Sequence, residues 1–459
     1  MQQEGCAAAM TEPFELTVSE AAGLIRAGGL SPVELMESLL ARSRVLEPGL
    51  RVWVTLDEDA ALAAARRSQD TLEHGGPIGP LHGIPVGVKD IFYTEGVKTT
   101  AGSPIYADFI PTHDSTAVAR LKAAGAIMMG KTVTTEFAFF DPPPTRNPWD
   151  PAHTPGGSSS GSAAGVAARM FPAALGSQTA GSVLRPASYN GVVGLKPTFG
   201  RISRYGVVPV AWSLDTMGFF TRSVEDAAIM LDALAGHDPQ DRASSGKPVP
   251  DYARALPSPG APPRVGLMRQ FFLERSDPEV RAHTEGAVRR LAAAGARVED
   301  VAISADFDTL LAAHRVVMSV EAACVHDADH RERPDDYSPK VRGTIEAGML
   351  ISGVAYVQAL RVRRSFCRQL VKAVRGFDAV LTPSTATPAP RDLATTGDPA
   401  FQTPWTSCGL PTITLPSGLS KTGMPLGVQL AAGPFEEQNL LAVAQWCEQV
   451  LDAAPPPPL

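Results

Sequence analysis

Ile84, Val86 and Val88 alternate with small residues, the two-residue period of a half-buried strand, and Lys89 stands at the end of it. Two helices are expected upstream, where Thr17-Val18-Ser19-Glu20 and Ser31-Pro32-Val33-Glu34 each place an acid three residues after a hydroxyl, the capping-box spacing. Residues 117–124 read as a helix closed by Gly125, followed by a buried strand over 126–129 that Lys131 and Thr132 leave. A further helix covers 224–235. Residues 237–263, rich in Pro, Ser and Gly, form a long excursion. A strand over 265–268 then leads to a helix capped by Asp277, with Pro278 in its first turn. That helix ends near Ala294, Gly295 closes it, and a strand follows over 297–301. Residues 307–377 are mainly helical and 379–383 return to a strand. This alternation predicts an α/β core, and no internal repeat interrupts it.

The chemistry concentrates in one run, Pro155-Gly156-Gly157-Ser158-Ser159-Ser160-Gly161-Ser162-Ala163-Ala164-Gly165, with Thr179-Ala180-Gly181-Ser182 soon after. Flexible linkers use the same residues, but this run lies between Asn147-Pro148-Trp149 and the apolar stretch 166–175, which puts it inside a packed domain. Small side chains let main-chain N–H groups approach a ligand oxygen, and a serine on a tight turn can present its hydroxyl to a carbonyl. Such a serine needs a base. Lys89 is the candidate, because an amine beside an apolar strand loses hydration, which depresses its pKa toward the neutral form.

Lys89, the Gly-Gly-Ser-Ser run at 156–159 and Gly181-Ser182 together resemble the amidase signature family of serine hydrolases. The 24-residue separation of Ser158 and Ser182 matches as well. The resemblance covers most of the chain, from the helix near residue 17 to Gln429. It includes the blocks Gly194-Leu195-Lys196-Pro197-Thr198-Phe199-Gly200-Arg201, Ser213-Leu214-Asp215-Thr216-Met217-Gly218, Gly409-Leu410-Pro411-Thr412 and Pro425-Leu426-Gly427-Val428-Gln429. It implies one large α/β/α domain over 16–452, built on a mixed, mostly parallel sheet covered by helices. It further implies a Ser–Ser–Lys triad: Ser182 as nucleophile, Ser158 as bridge on a cis peptide, and Lys89 as terminal base. The N–H groups of Thr179, Ala180, Gly181 and Ser182 become the oxyanion hole, and Ser159 a neighbouring hydrogen-bonding group. Two positions depart from the common pattern: Gln178 stands where many members carry Asp, and Ala180 where many carry Gly. The malonamidase-like branch shares the Gln and the Arg185-Pro186 pair after the nucleophile. The added methyl of Ala180 is expected to narrow the acyl site.

Competing readings of these motifs fare less well. A phosphate-cradling loop requires Lys directly after its last glycine, where this chain has Ser162. A nucleophile elbow with a histidine base lacks its single central serine in Gly157-Ser158-Ser159-Ser160-Gly161. His326 and His330 have the i, i+4 spacing of a metal pair, but no third ligand is evident and the surroundings read as a solvated loop or helix end. The triad chemistry calls for no metal and no cofactor.

The chain's 459 residues, 44% hydrophobic and 19% charged, describe a globular protein with a sizeable core. A net charge of −7 gives no electrostatic case for nucleic acid. Five scattered cysteines, Cys6, Cys324, Cys367, Cys408 and Cys447, argue against a disulfide framework and fit a reducing cytoplasm. The start lacks a basic region and a long apolar segment, and no apolar stretch reaches the ~20 residues of a membrane span. Residues 1–15 read as a flexible extension, with Met10 as an alternative start and Cys6 unconvincing as a lipidation site. Residues 453–459 read as a Pro-rich tail. The expected partner is a small molecule; a homodimer is compatible with this reading.

The expected activity is hydrolysis of an amide C–N bond through an acyl-enzyme, with carbamates, anilides and esters open to the same chemistry. Arg185 has two readings, a clamp for a substrate carboxylate or a structural ion pair, and the turn Pro186-Ala187-Ser188 beside it tips the balance to the second. Phe137, Phe139, Phe140 and Trp212 are candidates for an acyl pocket shaped by irregular segments at 139–146, 333–352 and 399–408. Two alternatives come from other classes. One is an amidotransferase A-like subunit making ammonia for a partner enzyme that acts on charged tRNA; Gln178 and the lack of any basic run count against it. The other is a silent binding protein with the amidase fold.

Overall fold

In the computed structural model of this chain, which describes residues 12–256, 261–451 and 455–459, eleven strands form one sheet. In chain order they are β1 Trp53–Leu56, β2 Pro85–Lys89, β3 Ile127–Thr132, β4 Ala173–Gln178, β5 Val193–Lys196, β6 Thr216–Thr221, β7 Arg264–Leu267, β8 Arg297–Asp300, β9 Ala379–Pro383, β10 Thr412–Leu419 and β11 Pro425–Ala431. Across the sheet they run β1-β3-β2-β4-β6-β5-β10-β11-β9-β7-β8. The helices are α1 Val18–Ala27, α2 Pro32–Leu50, α3 Glu58–Glu73, α4 Thr116–Ala123, α5 Ser160–Ala167, α6 Leu184–Asn190, α7 Val224–Leu234, α8 Pro278–Ala293, α9 Phe307–Glu332, α10 Pro339–Leu350, α11 Gly353–Val374, α12 Thr403–Ser407 and α13 Glu437–Val450.

The single α/β domain with a mixed sheet is as expected, but the balance of strand directions is not. β2 pairs parallel with β3 and β4, and β7 with β8 and β9, while the other six pairings are antiparallel. The central strands β4, β6 and β11 are buried at every position, so each lacks the polar alternation that would mark an antiparallel strand in the sequence.

Local signals translate well. Thr17 and Ser31 close reciprocal capping boxes with Glu20 and Glu34, and Asp277 caps α8 through the Glu279 N–H. Other readings need correction. Lys131 and Thr132 do not leave β3 but belong to it: Lys131 is buried because its ammonium donates to the Phe92 carbonyl (2.7 Å) and Thr99 Oγ1 (2.6 Å) and lies 3.3 Å from Asp90. Residues 333–352 are not irregular but contain α10, and 399–408 contain the short α12. α10 presses against α9 so closely that a Cβ on Gly348 would lie 2.0 Å from the Ser319 carbonyl oxygen. Residues 12–15 do not form a free extension. Phe14 donates its N–H to Ser38 and lies under the Arg42 guanidinium, and Glu15 pairs with Arg169. Residues 1–11, with Cys6 and Met10, lie outside the described residues, as do 257–260 of the excursion and 452–454 next to the tail.

No single helix among the described residues is long and apolar enough to cross a membrane. The Gly/Ser run is buried throughout and supplies α5, which packs against β2, β4 and α6. Gly161 meets the backbone of Val52 and Val133 directly; a Cβ there would sit 2.4 Å from the Val52 oxygen and 2.6 Å from the Val133 nitrogen. Gly161→Ala is therefore expected to destabilise the fold by about 1–3 kcal/mol, since backbone cannot yield as a side-chain end can. Urea unfolding checks this: the midpoint should fall with the slope unchanged.

Candidate active site

β2 and β4 are parallel neighbours in the register Val88↔Leu175, so their carboxyl ends emerge side by side. That places Lys89 next to Ser177, with α5 bringing Ser158 from the same side. Lys89 is wholly buried and its Nζ donates to Ser158 Oγ at 2.7 Å and Ser177 Oγ at 2.8 Å. No carboxylate forms an ion pair with it among the described residues. Burial holds its pKa well below the usual lysine range, with Asp215 opposing more weakly. The Gly157–Ser158 peptide is cis.

Beyond β4 the chain turns sharply into α6, and Gln178 fixes that turn. Its Oε1 accepts from the N–H groups of Val183 (2.9 Å) and Leu184 (3.0 Å), two donors at the start of α6 with no helical partner, and its Nε2 donates to Thr406 Oγ1. Thr406 in turn donates to the Ala180 carbonyl at 2.7 Å. With the carbonyl held, the N–H groups of Ala180, Gly181 and Ser182 donate to no protein group among the described residues. Thr179 is tied through its hydroxyl to Asp215 (2.6 Å), whose other oxygen accepts from Val210 and Ala211; burial pushes that carboxyl up to about 6. Ser159 bonds both the N–H and the carbonyl of Ser177 at 3.3 Å, bracing the strand end that faces Lys89.

Ser182 lies in a narrow cleft with Phe139, Phe140, Arg185, Val210, Met318 and Pro399. Through Phe140, Ala180, Met318 and Pro399 the cleft adjoins a mouth of about 420 Å³ that carries Arg275, Asp308, His314, Arg315 and Asp398. No hydrogen bond joins Ser182 to Ser158 among the described residues. A larger cavity of about 680 Å³, between α3 and the loop at 94–98, contains none of Lys89, Ser158 and Ser182.

Arg185 forms no direct ion pair among the described residues, although the charge of Asp398 acts on it from a distance. The guanidinium is buried with no carboxylate partner among the described residues: its Nη2 donates to the Gly157 carbonyl (2.7 Å) and Thr396 Oγ1 (3.2 Å), while Nε and Nη1 make no hydrogen bond. Phe139 and Phe140 do reach the cleft, but Phe137 is packed against His326 and Tyr106, and Trp212 lines a second cavity, with Ser177 and Asp215, that shares Thr179 and Val210 with the cleft. Of the two histidines, His330 does stand at a solvated helix end, in the last turn of α9 beside the exposed residues 331–333. His326 is buried inside α9, bonded to Tyr337 and packed against Phe139, because the α9 face that carries it is covered by α10 and the segment before it. Sequence reasoning missed Ser177, Asp215 and Thr406. Asp215 sits in a block already noted, but nothing in the sequence links Ser177 or Thr406 to Lys89 or to the turn.

The amidase family matches residues 34–441. Among curated relatives, the glutamyl-tRNA(Gln) amidotransferase A-type subunit of Geobacter metallireducens is 38% identical over 95% of this chain and 98% of its own length. That of Myxococcus xanthus is equally similar over the same shares. Among solved structures, peptide amidase from Stenotrophomonas maltophilia superposes with a TM-score of 0.85 at 31% identity, covering 96% of this chain and 98% of that one. A chain from a vestigial protein complex that bears on the origins of an s-triazine catabolic enzyme gives 0.89 at 31%, covering 95% and 100%. The chain belongs to the amidase family, and it is a hydrolase of carbon–nitrogen bonds.

Proposed function

We propose that this protein cleaves the amide of a small molecule bearing a carboxylate, forming an acyl-enzyme on Ser182. The observation that carries the reading is Lys89, a buried amine that forms no ion pair among the described residues and is hydrogen-bonded to Ser158. Desolvation favours its neutral form, which can accept a proton. As the Ser182 oxygen bonds to the carbonyl carbon, its proton passes to Ser158 and the Ser158 proton to Lys89. The oxyanion faces the N–H groups of Thr179, Ala180, Gly181 and Ser182, where each well-placed donor typically contributes ~3 kcal/mol to the transition state. The C–N bond then breaks and ammonia or an amine leaves with a returned proton. Water then loses its proton through Ser158 to Lys89 as it attacks the ester, and that proton returns to the Ser182 oxygen when the acid leaves. Substrate entering the cleft would bring Ser182 and Ser158 into contact, since catalytic hydrogen bonds often tighten only in the complex.

The carboxylate assignment rests on Arg185. A buried guanidinium with two idle donors is costly unless something negative completes it, and a carboxylate accepts two such bonds at once. Arg185→Leu is expected to raise KM about 10- to 100-fold more for amides that carry a carboxylate than for matched neutral amides, the loss of the bond to the Gly157 carbonyl being common to both. Equal changes for both would remove the carboxylate from the proposal and leave the hydrolase.

A second reading has specific support. The curated relatives are amidotransferase A-type subunits, so the released ammonia could serve a partner enzyme rather than escape to solvent; this resemblance favours the subunit reading over a free-standing amidase. Ammonia release by the purified chain from glutamine, asparagine, half-amides of dicarboxylic acids and neutral amides tests the chemistry. Turnover at full rate by the chain alone supports a self-sufficient amidase; turnover that requires a co-purifying subunit supports the second reading.

A further inference from the structure

α11 contains no acidic residue in its 22 positions. One side of it is buried through Ala359, Phe366, Leu370 and Val374, and Arg363 turns toward that side to bond Ser407 and Ser213. The other side faces solvent. There Val354, Val357, Arg361, Arg364, Arg368, Val371 and Arg375 follow one another at steps of three and four, the spacing with which a helix receives another helix. The stripe is apolar at its start, where Leu350 at the end of α10 is 87% exposed, Val354 69% and Val357 54%. It is cationic over the rest, with Lys372 alongside, and Arg364, Arg368, Lys372 and Arg375 rim a depression of about 490 Å³ floored by Cys367 and Val371.

None of Arg361, Arg364, Arg368, Lys372 and Arg375 has an ion-pair or hydrogen-bond partner among the described residues. The side chains of Arg66, Arg67, Arg289 and Arg297 are likewise unpaired among the described residues, but each stands on an element that also carries carboxylates, which α11 lacks. Arg264, Arg269, Arg275, Arg331, Arg333 and, on the adjoining α10, Arg342 all pair with carboxylates. Interaction with the negative end of the helix accounts for Lys372 and Arg375, which lie in or just past the last turn, but not for Arg361, Arg364 and Arg368 farther back.

We propose that this face of α11 docks an acidic amphipathic helix of a partner polypeptide, whose apolar turns meet Leu350, Val354 and Val357 and whose carboxylates meet Arg361, Arg364, Arg368 and Lys372. A second copy of this chain does not fit: parallel pairing sets each arginine against itself, and antiparallel pairing sets Arg361 against Arg368 and leaves the valines facing Arg375. A phosphate backbone would leave the apolar turns unmatched, and no aromatic ring on the stripe offers a base a stacking surface. The surface is independent of the chemistry at Ser182 and stands whichever amide is cleaved.

The test uses the full chain and a labelled 22-residue helical peptide with leucines at the first two core turns and glutamates at the rest. A control peptide carries the same residues shuffled so that its leucines and glutamates no longer share one helix face. Fluorescence anisotropy should show binding that weakens from 50 to 200 mM salt, and the control should bind at least about tenfold more weakly. Arg364→Glu with Arg368→Glu should cost at least about tenfold in affinity while amide turnover stays unchanged, and Arg364→Gln with Arg368→Gln should cost less. Equal binding of both peptides, or of wild type and variants, overturns the proposal. So does tighter binding to phosphatidylserine vesicles than to the peptide, or a dimer in sedimentation that the same substitutions abolish.

Discussion

Ser182→Ala is expected to abolish amide turnover, by more than about four orders of magnitude, while leaving the fold intact. The hydroxyl is the only atom lost, and it makes no hydrogen bond to protein among the described residues, so the change removes chemistry without removing packing. Gln178 still holds the turn through Val183 and Leu184, and the Ala180 carbonyl stays on Thr406. The N–H groups that face the oxyanion are unchanged. Melting temperature and substrate affinity should therefore match wild type, and a fluorophosphonate probe should label wild type at residue 182 and leave the variant unmodified. A loss of only a few-fold would place the nucleophile elsewhere.

Lys89→Met should cost about 10²–10⁴ in kcat and change the pH dependence of both activity and stability. With the neutral amine as the proposed working form, activity should climb as pH rises through the lowered pKa of Lys89, and this limb should be missing in the variant. Stability follows the same group with a sign that can be worked out. Between the lowered folded value and the unfolded value of about 10.4, the unfolded chain binds the proton more tightly, so stability rises with pH across that window. Burying Lys89 carries its full cost below the folded value and none above about 10.4. Lys89→Met should therefore melt higher than wild type at neutral pH, with the gain shrinking toward pH 10.4. An activity loss accompanied by a lower melting temperature at every pH would point to a packing role instead.

Much of this site was legible in the chain because its signals are local. The alternation of Ile84, Val86 and Val88 ends at Lys89 with no need of a partner strand. The Gly/Ser run identifies itself by composition between apolar flanks, and the spacing of Ser158 and Ser182 is a count along the sequence. Capping boxes at Thr17 and Ser31 are equally local, since donor and acceptor lie three residues apart. The basic face of α11 was missed for the converse reason: its cations stand three and four positions apart, so they form no run in sequence and come together only when the helix is wound.

The sequence by itself determined which residues carry reactive groups and which segments are strands or helices, because side-chain chemistry and periodicity are properties of short stretches. The tertiary structure decided what state those groups are in. Lys89 loses its hydration only when β4 closes beside β2 and Ser177 and Ser158 replace water around it. Arg185 is left with two idle donors only because the elements folded around it supply the carbonyl of Gly157 and the hydroxyl of Thr396 but, among the described residues, no carboxylate within bonding distance. Desolvation and the balance of donors against acceptors belong to an assembled volume, and the residues that fill it come from positions as far apart as 89 and 406.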